Sequence, residues 1–247
     1  MNKNINIWEG VFDADSKPQN KGDGFEGLRW LRRLCGQVIN YRDELALDRN
    51  CLPPRPSDLC IVVALLKPKK LIDFGGGAGW GYDYINNTLI NSSISEYQII
   101  ETQKVCEYVK KSKIQSTSVE FISDFSQLKK ADLLYTNSTL QYVHQDEIFL
   151  DLITRSDSNH ILIEDFYAGD FEDYYTEQIY YESKIVVKHR NLENFISLIN
   201  RSGFDLLYSK PYMSPIRGKF EKLPMSNLPE KHRINFSRSL LFTKKYD

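Results

Sequence analysis

A chain of 247 residues is long enough for one α/β domain with a substantial core, or for two small domains at most. Its 32 basic and 33 acidic side chains nearly cancel, to a formal net charge of -1, which excludes a global electrostatic attraction to DNA or RNA, so no nucleic-acid partner is expected. The four cysteines (Cys35, Cys51, Cys60, Cys106) are scattered, form no CxxC pair and do not cluster with the four histidines, so neither a disulfide framework nor a metal site is expected.

In chain order, residues 1–23 are polar, are broken by Pro18 and a KGDG stretch, and read as an irregular arm. Their acids and asparagines interrupt any signal-peptide core, and no run of about 18 apolar residues occurs anywhere, so no membrane span and a cytoplasmic location are expected. From Phe25 to about Asn40, Leu28, Leu31, Leu34 and Val38 recur at helical spacing and predict an amphipathic helix. The Pro-rich CLPPRP stops the next helical piece, and Ser57-Asp58 supplies an N-cap for a helix reaching Leu66. Residues 1–66 are thus an arm and a helical cap preceding a core of 67–247. These apolar helices can pack on a second copy as readily as on the core, which leaves a homodimer open.

From residue 67 an alternation sets in. KKLIDFG, EYQIIE, SVEFIS, ADLLYTNS and HILIEDF read as strands, with helices expected at about 102–112 and 145–154 among the segments between them. A further helix, Asn191 to Ser202, closes at Gly203 before the strands FDLLYS and SRSLLFTKK. Strand and helix repeated this way predict a mostly parallel sheet covered on both faces, with right-handed crossovers. The stretch at about 209–236 carries Pro211, Pro215, Pro224 and Pro229, is too long for a tight hairpin, and reads as an insertion on the substrate side.

The chemistry concentrates at Asp73-Phe74-Gly75-Gly76-Gly77-Ala78-Gly79, a DxGxGxG pattern closing the first strand. Glycines at Gly75, Gly77 and Gly79 let the backbone turn sharply and approach a ligand. Asp73 discriminates between ligands: a carboxylate here repels the pyrophosphate of a dinucleotide and favours the ammonium group of S-adenosylmethionine. GxGxxG also fits badly, since its third position falls on Trp80 or Tyr82 when counted from Gly75 or Gly77. Glu101, at the end of the next strand, is placed for both ribose hydroxyls, although its 28-residue separation from Asp73 exceeds the roughly 20 of dinucleotide folds. Asp124 is similarly placed for the adenine amino group, with Phe125 beside it as an apolar neighbour for the ring.

LIDFGGGAG, Glu101, Asp124 and ADLLYTNSTLQYV resemble motifs I to IV of class I S-adenosylmethionine-dependent methyltransferases over roughly residues 70–165. The WEG segment, the FGGGxG loop and the LQYV stretch further resemble a methyltransferase family of bacterial surface-polysaccharide gene clusters. The broader resemblance implies a Rossmann-like sheet of seven strands in the order 3-2-1-4-5-7-6, strand 7 antiparallel. It also implies that the methyl acceptor approaches over the ends of strands 4 and 5. The acceptor implied by the narrower one is the oxygen of a sugar or nucleotide-linked sugar for capsule or lipopolysaccharide, with a small phosphate-like or amino-acid-derived precursor as the alternative.

Methyl transfer is an in-line displacement, so the protein must align the nucleophile and, for a weakly acidic hydroxyl, remove its proton. The fourth strand tip offers Asn137, Ser138, Gln141, Tyr142 and His144, and the fifth offers Glu164, Asp165 and Tyr167. His144 is the first choice as general base because imidazole titrates near neutrality. Glu164 and Asp165 are the acidic candidates, expected on opposite strand faces, and Asn137 is counted with the cofactor-binding residues. FYAGDFEDYYTEQIYYES reads either as an acceptor-stacking element or as a half-buried helix that packs through its tyrosines. His189-Arg190 and Arg217-Gly218-Lys219 could together meet a phosphate on the acceptor. Readings of another class are an NAD-linked dehydrogenase or epimerase, against which Asp73 and the absent YxxxK pair argue, and a non-catalytic S-adenosylmethionine-binding partner protein.

Overall fold

The computed structural model describes residues 6–48, 51–216 and 219–245. Six helices lie among them: α1 (Leu28–Leu47), α2 (Leu59–Leu66), α3 (Trp80–Thr88), α4 (Gln103–Lys111), α5 (Asp146–Ser156) and α6 (Leu192–Arg201). The strands are β1 (Trp8–Phe12), β2 (Lys70–Phe74), β3 (Glu96–Ile100), β4 (Val119–Ile122), β5 (Leu133–Asn137), β6 (His160–Phe166), β7 (Ala168–Gly169), β8 (Tyr174–Tyr180), β9 (Ser183–Asn191), β10 (Phe204–Tyr212), β11 (Pro215–Ile216), β12 (Lys219–Phe220) and β13 (Ser237–Lys244).

The main sheet runs β10-β13-β6-β5-β2-β3-β4. Its central pairs are parallel, and β13 is antiparallel to both β6 and β10. This is the α/β order expected of a Rossmann-like class I methyltransferase sheet. Consecutive residues of the central strands are apolar because both faces are covered. Ile72, Leu134 and Ile161 face Phe149 and Leu152 of α5 and Phe195 and Ile199 of α6, while Leu71, Leu133 and Leu162 face Leu59 and Val63 of α2 and Ile85 of α3. Each such buried side chain contributes about 1.5–3 kcal/mol of transfer free energy.

The strand order reverses at β2, whose neighbours are β3 and β5, and at such a switch point the carboxyl ends of the strands open a crevice. Helix α1 is longer than its predicted stretch because Tyr41 continues the buried stripe of Leu31, Cys35 and Val38, which packs with Val105 and Val109 of α4 beside the glycine loop.

Two readings are corrected. The arm is not irregular throughout, since β1 lies within it, and the tyrosine-rich segment is not a helix but the first half of the β8-β9 hairpin. Strands β1, β8, β9 and β7 form a second, four-stranded sheet. Its core joins Trp8, Tyr167 and Val187 to Leu223, Met225, Leu228 and Ile234 of the stretch between the last two strands. No helix among the described residues is long and apolar enough to cross a membrane.

Candidate functional site

At the switch point lies a cleft of about 730 Å³, floored by the glycine loop and the tips of β3, β5 and β6 and roofed by α1 and the second sheet. The volume is within the 300–1,000 Å³ common for small-molecule sites. Gly75 adopts φ +73°, and a Cβ there would overlap Thr139, whose own Cβ is 2.8 Å away. A Cβ on Gly76 would instead overlap the Asp73 carboxylate. Together these positions explain why the loop turns on glycine. Gly75, Gly76 and Gly77 line the cleft, while Gly79 starts α3 from a left-handed conformation.

Asp73 lies beneath this loop, buried, with Oδ2 accepting a 2.7 Å hydrogen bond from the Tyr97 hydroxyl. Burial pushes its pKa up to about 7, against the lowering effect of Tyr97. The carboxylate acts on the cleft through the loop rather than lining it. Glu101 does line it: Oε1 accepts from the Gly77 amide at 2.9 Å and Oε2 from the Thr102 amide at 3.0 Å. Burial raises its pKa, and those two amides oppose the rise.

Of the pair expected to meet adenine, Phe125 and the neighbouring Ser123 line the cleft, Phe125 standing edge-on to Phe74 with centroids 6.3 Å apart. Asp124 is turned away. It caps a short turn by accepting from the amide and hydroxyl of Ser126, which hold its pKa down, and it is not among the residues lining the cleft. Asn137 lines the cleft, its Nδ2 donating to the Tyr135 hydroxyl, Glu164 and the Tyr212 hydroxyl at 3.1, 3.2 and 3.3 Å. Its buried Oδ1 has no partner among the described residues, which suits an ammonium or hydroxyl donor.

The three candidate catalytic residues separate. His144 is not among the residues lining the cleft. Its Nε2 donates to the Val186 carbonyl at 3.0 Å, the ring stands edge-on to Tyr175, and burial lowers its pKa. Glu164 lies behind Asn137, where it accepts from Ser57 Oγ at 2.5 Å, the Asp58 amide at 2.7 Å and the Tyr135 hydroxyl at 3.1 Å, and so fastens the start of α2 to the sheet. Burial lifts its pKa to about 7. Asp165 alone reaches the cleft.

Asp165 and its cross-strand neighbour Ser138 have φ of +50° and +59°, conformations that cost L-residues about 1–2 kcal/mol and that gather at functional sites. The Asp165 carboxylate accepts hydrogen bonds from Ser138, from Ser214 at 3.0 Å and from Ser237 at 2.7 Å, and pairs with Arg55 at 3.5 Å. The carboxylate is thus held by donors on several sides, which fix its position at the edge of the cleft. Arg55 also donates to Ser138. Sequence reasoning missed Arg55, and its one signal is the rigid PPRP setting.

Of the basic residues expected to converge on a phosphate, His189 and Arg190 do not reach the cleft. His189 and Arg190 are buried, Arg190 being spent on Asp146 at 2.8 Å and on the carbonyls of Leu140 and Val143. Arg217 and Gly218 lie outside the described residues. The roof is aromatic instead: Phe25 packs against Trp30, Tyr142 and Tyr180, with centroids 5.3, 4.6 and 5.4 Å away.

No family model and no curated protein matches the chain in sequence. In structure it is similar to the 1,6-didemethyltoxoflavin-N1-methyltransferase of Burkholderia thailandensis, solved with 1,6-didemethyltoxoflavin and S-adenosylhomocysteine. The TM-score is 0.54 at 14% identity, over 98% of this chain and 100% of that one. It is also similar to a Listeria monocytogenes protein assigned as an S-adenosylmethionine-dependent methyltransferase, at TM-score 0.50 and 13% identity, over 72% of this chain and 92% of that one. At these identities the likeness establishes the class I methyltransferase fold.

Proposed function

We propose that this chain is an S-adenosylmethionine-dependent methyltransferase acting on a small-molecule acceptor. The observation that carries the reading is Glu101 bonded to the Gly77 amide. In a dinucleotide site the loop amides face a pyrophosphate, whereas here a carboxylate already holds one of them and would repel that group. A neutral ribose meets no such repulsion and can donate its hydroxyls to the remaining lone pairs of Glu101. A cationic amino-acid moiety above the loop would in turn stabilise the ionised form of buried Asp73, which burial alone disfavours.

S-adenosylmethionine, when bound, supplies a methyl group on a sulfonium that leaves as a neutral thioether. Gly75 to Gly77 let the backbone approach it, Glu101 holds the ribose, Ser123 and Phe125 border the adenine, and Asn137 offers Oδ1 to the amino-acid end. Asp165, Ser138 and Arg55 stand at the tips of β5 and β6, where they orient the acceptor. We assign His144 and Glu164 to holding the structure and give neither a proton to move. Catalysis on this reading is mainly alignment. The two methyltransferases similar in structure support this class of reaction, and the small-molecule acceptor of the Burkholderia protein agrees in kind with a cleft of this size.

For the acceptor itself, the oxygen of a sugar or nucleotide-linked sugar is supported by the motif resemblance and by the Phe25, Trp30, Tyr142 and Tyr180 wall, on which a sugar face can stack. Calorimetry with S-adenosylmethionine, S-adenosylhomocysteine and NAD tests the cofactor. Binding of the first two at micromolar affinity and none of NAD is expected, and the reverse order would overturn the proposal. Transfer of labelled methyl to a panel of nucleotide sugars tests the acceptor and separates an enzyme from a protein that only binds the cofactor.

A further inference from the structure

Arg55 is held from one side only. Its Nη1 faces Ser138 and Asp165, while among the described residues no acceptor takes the hydrogens of Nε or Nη2. Its side chain keeps two-fifths of its exposure and lines the cleft. The backbone that carries it is stiff: Pro53, Pro54 and Pro56 surround it, the residue before a proline is confined to extended conformations, and the Pro56 carbonyl is pinned by the Tyr212 hydroxyl at 2.5 Å. A planar fork of donors is thus held at the cleft with Nε and Nη2 engaged by no acceptor among the described residues.

The charge balance of this end is positive. Arg33 enters the same cleft from α1, donating to the Tyr181 hydroxyl at 2.9 Å. Against these two guanidinium groups stands one carboxylate, Asp165, whose oxygens are already engaged by three serines; Glu101 sits at the opposite end, on the glycine loop. An arginine whose only task was to neutralise Asp165 would gain nothing by leaving its remaining donors in an open cleft. Such an edge matches the bidentate geometry of a carboxylate or phosphate.

We propose that Arg55 is the specificity-determining residue for the acceptor, and that the acceptor carries an oxyanion, a carboxylate or a phosphate, which docks on its free edge while an apolar or ring portion lies against Phe25, Tyr142 and Tyr180. This rests on the S-adenosylmethionine reading above, which leaves the end of the cleft around Arg55 to the acceptor. A nucleotide-linked or acidic sugar satisfies it, and a neutral free sugar does not.

The test uses the full chain saturated with S-adenosylhomocysteine and three probes of one shape: benzoate, phenyl phosphate and benzyl alcohol, titrated by ligand-observed NMR. At least one anion is expected to bind tenfold or more tightly than the alcohol, and which of the two does so names the group. Arg55→Gln is expected to abolish the preference, and Arg55→Lys, which keeps the charge but not the fork, to reduce it at least threefold. Circular dichroism reports folding, and if the glutamine variant does not fold the lysine variant carries the test. Equal binding of the three probes, or a preference that survives in the folded variants, overturns the proposal while leaving the cofactor reading intact. Failure of the wild-type chain to bind S-adenosylhomocysteine overturns both.

Discussion

Replacing Glu101 by alanine is expected to weaken S-adenosylhomocysteine binding by two to three orders of magnitude. The side chain ends β3 with both oxygens aimed, one at the Gly77 amide and the other at the Thr102 amide, at 2.9 and 3.0 Å. Each carboxylate oxygen accepts more than one donor, so lone pairs remain for the two ribose hydroxyls. A hydrogen bond to a charged group is worth about 1.5–3 kcal/mol. Two such bonds near the lower end of that range cost about 3–4 kcal/mol when lost, and 1.4 kcal/mol is a factor of ten in affinity. Alanine also frees the Gly77 amide, so part of the loss could arise from a loosened loop. Calorimetry with a 2′,3′-dideoxyribose analogue separates the two: wild type and variant are expected to bind it alike. Affinity for S-adenosylhomocysteine within threefold of wild type, or an equal loss with the dideoxy analogue, would refute the ribose role.

Gly75→Ala should lower stability by about 2–5 kcal/mol, combining a left-handed φ at about 1–2 kcal/mol with overpacking against Thr139 at about 1–3 kcal/mol. Urea unfolding measures this, and Thr139→Gly in the same chain should recover only the overpacking part; full recovery would show that the φ carries no cost. Glu164 is raised from 4.5 to about 7, so its protonated form is the one the fold prefers, and the stability it contributes below pH 4.5 is lost as pH rises toward 7. At about 1.4 kcal/mol per unit the loss reaches about 3 kcal/mol, and the stability difference between wild type and Glu164→Gln should drift by that amount between pH 4.5 and 7.5; parallel curves would refute it. His144→Phe removes one hydrogen bond, at about 1 kcal/mol of stability, and should leave S-adenosylhomocysteine affinity within threefold; a tenfold loss would put the imidazole back at the cleft.

The main sheet was legible because its signals are local. Paired apolar runs such as Leu71-Ile72 and Leu133-Leu134 announce strands covered on both faces, and Asn191 and Gly203 mark the ends of α6 by chemistry confined to one turn. The second sheet was not legible. Its hairpin turns through Tyr181 and Glu182, with Tyr181 at φ +52° and without the Asn-Gly or Asp-Gly that normally signals such a turn. Its edge strand β1 comes from 163 to 170 residues upstream, a pairing that no window of sequence contains. The surroundings of His144 were illegible for a related reason. Its position after β5 is correct for a base, but whether a ring at that position turns inward depends on the Val186 carbonyl of β9, which only the unforeseen sheet supplies.

On the reading proposed above, the cofactor half of the cleft comes from β2, its loop and the end of β3, segments close in sequence whose geometry is fixed by glycine and by two amides. The acceptor half is assembled from the prolines around Arg55, the tips of β5 and β6, the β8-β9 hairpin and Ser214 to Ile216, brought together only by the completed chain. Substitution in the first half disturbs a loop whose backbone the ligand must touch. Substitution in the second changes exposed donors and rings while the sheet beneath stays packed. On that reading, single changes at Arg55, Arg33 or Tyr180 shift acceptor preference and leave the cofactor half in place, because function lives in the site and not in the fold that carries it.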